Sequence, residues 1–292
     1  MNLLNKLSIV GKTIKGYSIK YLVDLHVIRP TKLRATELPV KVCVSLTSYG
    51  RRVKKSVYYT LISLLRQSRK PDRIILWLDD KWNDDNLPKR IKSLNEYGVE
   101  IKYCEDLKSY KKLIPTLDEV GEEYIITVDD DQYYPRDLVR GLVEAMDSNP
   151  HSIYAYHVHK LRFNGNKLLP YNQWELGTKD FTTGIFFPTG IGGIIYKKDL
   201  LYKDIDNKNL FMSLAPNADD IWFFFMAFLQ GVHCTPIKLS RPILPVDLIY
   251  QKMHSNSSLR DSNWGEAQND KQLSAVMNYY NISSQDIKNG LK

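Results

Sequence analysis

Three consecutive aspartates, Asp129, Asp130 and Asp131, directly follow the apolar run YIITV at residues 124–128. Adjacent carboxylates repel one another, so their place at the mouth of a buried strand calls for an explanation. A plain turn is one, since Asp is a frequent turn residue and Pro135 with Tyr133–Tyr134 suits a chain reversal. A divalent cation is the other. Asp129 and Asp131 are separated by one residue, so they share a face on a strand and can converge in a turn. Hard ions such as Mg2+ and Mn2+ use one or two carboxylates and complete their shell with water and phosphate oxygens. A second acidic pair, Asp219–Asp220, opens the apolar segment PNADDIWFFFMAFLQG (216–231). A helix N-terminus favours negative charge there, whether as an N-cap or as a general base.

The elements that must position these groups follow from periodicity. KVCVSL (41–46), RIILWL (73–78), VEIKYC (99–104) and YIITV (124–128) read as four strands, with helical segments at 53–67 and 88–97 and one interrupted near Pro115 between them. Apolar strands joined by helical crossovers predict a doubly wound, mostly parallel sheet. Ligands of such sheets bind at the carboxyl ends of the strands, where TSYGRR, Asp79–Asp80 and Asp129–Asp131 all fall. Farther on, 136–147 reads as a helix, SIYAYHVHKLRF (152–163) as an alternating strand, 216–231 as a helix stopped by Gly231, and 270–280 as a final helix.

The composition is that of a globular protein, with 43% hydrophobic and 25% charged residues among 292. No apolar run reaches the roughly 20 residues that span a bilayer, and the first residues lack the features of a secretory signal. Cys43, Cys104 and Cys234 are far apart and set in apolar runs, which fits reduced thiols in a cytoplasmic protein. Of the net charge of +8, most lies in residues 1–34, where seven basic residues face Asp24 alone. Leu3, Leu7, Val10, Ile14, Tyr17 and Tyr21 recur at helical spacing in this arm. Such a basic amphipathic helix either packs on the body or lies on an anionic membrane. No pattern of a nucleic-acid-binding module is visible.

Four motifs in order resemble those of a nucleotide-sugar-dependent glycosyltransferase of the GT-A fold, family 2-like, of the kind that builds bacterial capsule and surface polysaccharides. VSLTSYGRR resembles the first-strand nucleotide loop, with Thr47 in place of a Pro and Gly50 in place of an Asn. ITVDDDQYYP resembles the Asp-x-Asp element, and FPTGIGGIIYKKDLL the Gly-rich acceptor-side segment with Gly192 and Gly193. ADDIWFFFMAFLQG resembles the Glu-Asp helix, with Asp220 eleven residues before Gly231. The resemblance covers roughly residues 41–250. It implies that Thr47, Tyr49 and Arg51 border the nucleotide and that Asp79 or Asp80 accepts a hydrogen bond from the base. Lys112 would lie near the ribose or diphosphate, with Asp129 and Asp130 on the donor. It implies Mn2+ or Mg2+ on Asp131 and Asp129, with His254 as an extra ligand, Asp220 as the base, and Asp219 and Trp222 on the acceptor side.

The implied reaction is an inverting transfer from a nucleotide diphosphate sugar, UDP-sugar favoured, to a saccharide or lipid-linked saccharide acceptor. The implied place is the cytoplasm or the inner face of its membrane. The expected organisation is a basic arm and linker over 1–38, then a catalytic domain over 39–292, with a nucleotide half (39–135) and an acceptor half (136–292). Two other readings are weaker. A haloacid-dehalogenase-like phosphotransferase also starts from Asp-x-Asp after a strand, but it wants Thr where Tyr133 stands and the motif on the first strand. A non-catalytic carbohydrate-binding protein of the same fold has no call for both Asp131 and Asp220.

Overall fold

The computed structural model describes residues 3–33, 40–121, 123–246 and 268–290, with side chains described from Val10 onward. In chain order the elements are α1 (Leu3–Asp24), β1 (Val42–Thr47), α2 (Gly50–Lys55), α3 (Val57–Leu65), β2 (Arg73–Asp79), α4 (Lys89–Lys92), β3 (Val99–Cys104), α5 (Ile114–Glu119), β4 (Tyr124–Val128), β5 (Gln132–Tyr133) and α6 (Leu138–Ser148). There follow β6 (Ile153–Ala155), β7 (Val158–Lys160), β8 (Phe163–Asn164), β9 (Lys167–Leu168), β10 (Phe186–Pro188), β11 (Ile194–Tyr196), α7 (Lys208–Leu214), α8 (Asp219–Leu229), β12 (Cys234–Pro236), β13 (Leu244–Pro245), α9 (Gln268–Tyr279) and α10 (Ser284–Asn289). They gather into two compact units, one of residues 1–107, 111–141 and 239–255, the other of 108–110, 142–238 and 256–292.

The first unit holds a parallel sheet in the order β4-β1-β2-β3. Its strands read as near-continuous apolar runs because both faces are covered: Val42, Cys43, Val44 and Leu46 on β1 and Ile125, Ile126 and Val128 on β4 are buried. Each such side chain contributes about 1.5–3 kcal/mol. The polar side chains in this core satisfy one another. Thr116 Oγ1 accepts from the Trp77 indole at 2.8 Å and lies 2.8 Å from Ser45 Oγ. The chain leaves β1 toward β2 and β3 on one side and returns as β4 on the other. The strand order therefore reverses between β1 and β4, the position at which α/β sheets bind ligands.

The helix expected over 53–67 is two helices, α2 and α3, parted at Ser56, whose N–H still closes a turn onto Arg52. Pro115 does not interrupt α5 but sits in its first turn, where its missing N–H costs nothing. α1 forms as the spacing predicts, packs with β13, and fixes its end through Asp24, whose two carboxylate oxygens each accept from the Tyr59 hydroxyl at 2.9 Å.

In the second unit the segment 152–163 is not one strand. It breaks into β6, β7 and β8, which pair separately: β6 lies between β11 and β12, β7 pairs with β10, and β8 with β9. The alternating pattern is right for an extended chain, but pairing cuts it where His157 must turn toward the following segments. α8 is buried nearly all round and ends before Gly231 at φ +76°, a conformation that glycine adopts without strain. α7 answers to no sequence expectation, since the segment carries only a short apolar cluster. All three cysteines are free thiols.

His159 on β7 is buried among Tyr171, Phe187 and His157. Its Nδ1 accepts the Gly177 N–H at 3.0 Å, which requires the neutral ring. Burial lowers its pKa from 6.5 to about 4. The unfolded chain takes up this proton near pH 6.5 and the folded chain only near 4. Stability from this group is therefore whole above pH 6.5 and is lost as pH falls through that window. Thermal melts from pH 7 to 4.5 should show a loss of up to roughly 3 kcal/mol from this site. His159→Asn, which keeps the acceptor but cannot titrate, should flatten that slope; an unchanged slope would show that the group does not carry it.

Candidate active site

The register of the first unit assembles the acidic turn. Leu46 on β1 stands opposite Val128 on β4, so the residues two positions beyond each, Ser48 and Asp130, leave the sheet at the same level. Ser48 Oγ donates to Asp130 Oδ2 at 2.5 Å. Arg52, on the first turns of α2, donates from Nη1 to Asp130 Oδ1 at 2.8 Å and lies 3.1 Å from Asp131 Oδ2. Asp131 Oδ1 accepts from the Gln132 amide at 2.8 Å, and its carbonyl accepts the Val246 N–H at 3.0 Å. Asp129 pairs with Lys112 Nζ at 3.4 Å and donates its N–H to the Tyr134 hydroxyl at 2.9 Å. The turn is thus held by cations of the chain itself. Burial pushes the Asp130 carboxyl up, while Arg52 and Ser48 pull it down. Burial also works against the Arg52 charge, but Asp130 and Asp131 more than reverse this and leave Arg52 above its usual value.

Beside the turn is a cleft of about 420 Å³ lined by Tyr49, Gly50, Lys54, Asp79, Lys81 and Trp82 among others. Gly50 has φ +51°, in the left-handed region that Gly and Asn tolerate best, which accounts for Gly at a position where the resembling loop has Asn. Tyr49 is partly exposed, with its ring 5.3 Å from the Arg52 guanidinium. Asp79 is buried at the end of β2 and accepts the Lys81 N–H at 3.2 Å, so it also caps a turn, as its neighbourhood in the sequence allows. Lys54 lies 5.8 Å from the Trp82 ring centre, so the cleft pairs an aromatic wall with a cation.

Thr47 turns its hydroxyl to the Trp77 carbonyl at 2.9 Å, closing the end of β1. Arg51 and Asp80 are exposed; the neighbouring Arg52 makes the contact to the acidic turn. Lys111 and Lys112 are both buried, Lys111 pairing with Asp106 at 2.6 Å. His254 lies outside the described residues.

In the second unit, Ala218 is the N-cap of α8, so Asp219 and Asp220 stand in its first turn and neither caps it. Asp220 Oδ2 accepts the Gly190 N–H at 3.4 Å. The segment carrying Gly190 is pinned at His157, whose Nδ1 lies 2.6 Å from Thr189 Oγ1 and whose carbonyl accepts the Thr189 N–H at 3.1 Å. A Cβ on Gly192 would lie 2.6 Å from His157 Cβ, so the close approach itself demands glycine there. Gly193, at φ +80°, completes the turn. Trp222 corrects an expectation. Its ring is fully buried against Phe211 and its indole donates to the Ile205 carbonyl at 2.9 Å, so it belongs to the core and offers no face to a sugar.

Ser48, Arg52, Lys54 and Trp82 were not singled out by the sequence. The spacing of four from Ser48 to Arg52 and from Gly50 to Lys54 is the only signal they leave, and it is meaningful only once α2 and the β1–β4 register are known. Among the described residues no three His, Cys, Asp or Glu side chains gather into a metal-ligand set. Asp129 and Asp131 still supply the donor set that suits Mg2+ or Mn2+: two hard carboxylates at the switch point, with the rest of the shell left to water and phosphate.

Solved structures with related folds include the mannosyltransferase PcManGT from Pyrobaculum calidifontis in complex with GDP-Man and Mn2+ (13% identity, 77% of this chain and 61% of that one, TM-score 0.44). TarS from S. aureus is 15% identical over 82% of this chain and 72% of its own, with TM-score 0.46. A CMP-2-keto-3-deoxy-manno-octonic acid synthetase complexed with CTP is 11% identical over 74% and 97%, with TM-score 0.42. No curated protein matches. The family profile "Glycosyl transferase family 2" matches residues 43–210, the stretch that runs from β1 through the acidic turn into α7. With that match over more than half of its length, the chain belongs to glycosyl transferase family 2 and carries the GT-A fold.

Proposed function

We propose that the protein transfers a sugar, with inversion, from a nucleotide diphosphate donor to a saccharide acceptor in surface-polysaccharide synthesis. The observation that carries the donor half of this reading is the acidic turn at the β1–β4 switch point, tied by Ser48 and Arg52 to the loop that lines the cleft. The cleft suits a nucleotide: Trp82 and Tyr49 offer aromatic surface, Asp79 an acceptor for a base N–H, and Lys54 and Lys81 positive charge. Uridine is favoured by the family resemblance, and a lipid-linked acceptor would bring the enzyme to the inner face of the cytoplasmic membrane.

Asp129 and Asp131 would hold Mg2+ or Mn2+, which when bound offsets the charge of the leaving diphosphate. Asp130 is a positioning residue: it fixes Arg52 and Ser48, and through them the loop that receives the donor. Asp220 is the proposed base. As the acceptor oxygen bonds to the anomeric carbon, the bond from that carbon to the diphosphate oxygen breaks and its electron pair leaves on the diphosphate. The acceptor proton goes to Asp220. The Gly190 N–H orients that carboxylate, and Asp219 stands next to it on the acceptor side.

Two measurements test this reading. Donor hydrolysis and transfer should be abolished by EDTA and restored by Mn2+ or Mg2+. Asp131→Asn should keep the melting temperature within a few degrees and lose activity; full activity in EDTA would sink the metal assignment. Asp220→Asn should lower kcat by several orders of magnitude with donor affinity nearly unchanged, while Asp219→Asn mainly raises the acceptor KM. A kcat within about tenfold of wild type, roughly 1.4 kcal/mol of barrier, would remove Asp220 from the base role.

A further inference from the structure

Of the stripe residues whose side chains are described, Val10, Ile14 and Tyr21 face away from the body, and Tyr17 is half-buried. The helix seats itself through another face. Val23 is 2% exposed, Gly16 is pressed so closely on the Pro245 carbonyl that a Cβ would not fit, and Lys20 lies 5.0 Å from the Tyr59 ring centre. Positions 16, 20 and 23 share one side of a 3.6-residue helix. Val10, Ile14 and Tyr21 lie on a different side and are 54%, 61% and 65% exposed, and the stripe continues into Leu25 (54%) and Val27 (67%) after the helix ends. Exposed apolar side chains clustered in this way mark an interaction surface.

Charge selects the occupant. Seven basic residues and one acidic residue lie in positions 1–34, and Lys15, next to Ile14 on the helix, is exposed. The lone acid, Asp24, is engaged by the Tyr59 hydroxyl. Lys12, Arg29 and Lys32 are exposed. An apolar strip flanked by cations matches a bilayer interface, with acyl chains below and anionic headgroups at the level of the lysines. Among the described residues no helix is long and apolar enough to cross a membrane, so the contact would be one of lying on the surface. We infer that the outward face of α1, from Val10 to Val27, is a docking surface for anionic lipid. The inference rests on the proposed function only for which membrane face is meant, since lipid binding needs neither donor nor acceptor.

The test is sedimentation of the full chain with vesicles of phosphatidylcholine alone or mixed with phosphatidylglycerol, without donor. Binding should require phosphatidylglycerol and weaken as salt is raised. Ile14→Glu with Tyr21→Glu should reduce it at least roughly tenfold, since two charges would enter the apolar layer. Donor hydrolysis and melting temperature should stay unchanged, because both side chains are solvent-exposed. Lys15→Glu should weaken binding to anionic vesicles. Binding by the Ile14/Tyr21 variant equal to wild type, or equal binding to phosphatidylcholine alone, overturns the inference. So does a chain that ignores vesicles but dimerises until those two residues are changed, which would give the face to a second copy. Loss of transfer by Asp220→Asn with lipid binding intact, or the reverse, separates this surface from the catalytic reading.

Discussion

The buried pairing of Arg52 with Asp130 is the constraint on which the candidate donor site depends. A carboxylate with its neighbours on both sides also acidic is a poor thing to bury, and one left there without a cation would be strongly destabilising. Arg52 reaches Asp130 and Asp131 with the same nitrogen, while Ser48 adds a hydroxyl donor. Removing one partner of such a pair typically costs about 3–5 kcal/mol, toward the low end here because the Arg52 side chain is about a quarter exposed. The loop after β1 and the turn after β4 are therefore one object. Neither can move without breaking the charge arrangement.

That coupling explains why the acidic turn can be both rigid and receptive. Three carboxylates share the charge of Arg52 and Lys112, so the turn keeps negative character while its backbone is fixed by Tyr134, Thr60 and Val246. A turn preorganised in this way would hold the proposed cation without first having to order itself. Asp130, central in sequence, is the most internal of the three and serves the scaffold. Asp129 and Asp131, on either side of it, are the proposed ligands.

In the second unit the same logic runs through glycine. The 189–193 turn lies so close to His157 that no side chain fits at Gly192, and its Gly190 N–H meets Asp220. The neutral, buried His159 on the adjoining strand and the aromatic rings around it keep β7 and β10 in place. In the proposed base role Asp220 would need a fixed direction, and the Gly190 N–H contact contributes to it.

By itself the sequence determined the parallel strands, because near-continuous apolar runs flanked by turn residues have one economical burial. It also determined the acidic turn at the end of β4, the helix opened by Asp219 and Asp220, and α1. Order and spacing of four motifs pointed to the family. Only tertiary structure decided which basic residue meets the acids. Arg51 and Arg52 are adjacent and chemically identical, and the choice is made by the β1–β4 register and the start of α2. The same holds for Trp222: an aromatic residue near an acidic helix start suits either a sugar or a core, and the packing of α8 against Phe211 put it in the core. Long-range pairing broke 152–163 into three strands, which no local pattern encodes. The stripe of α1 was legible as a period, but periodicity cannot say which face finds a partner. In the fold Gly16 lies against the Pro245 carbonyl, while Val10, Ile14 and Tyr21 face out.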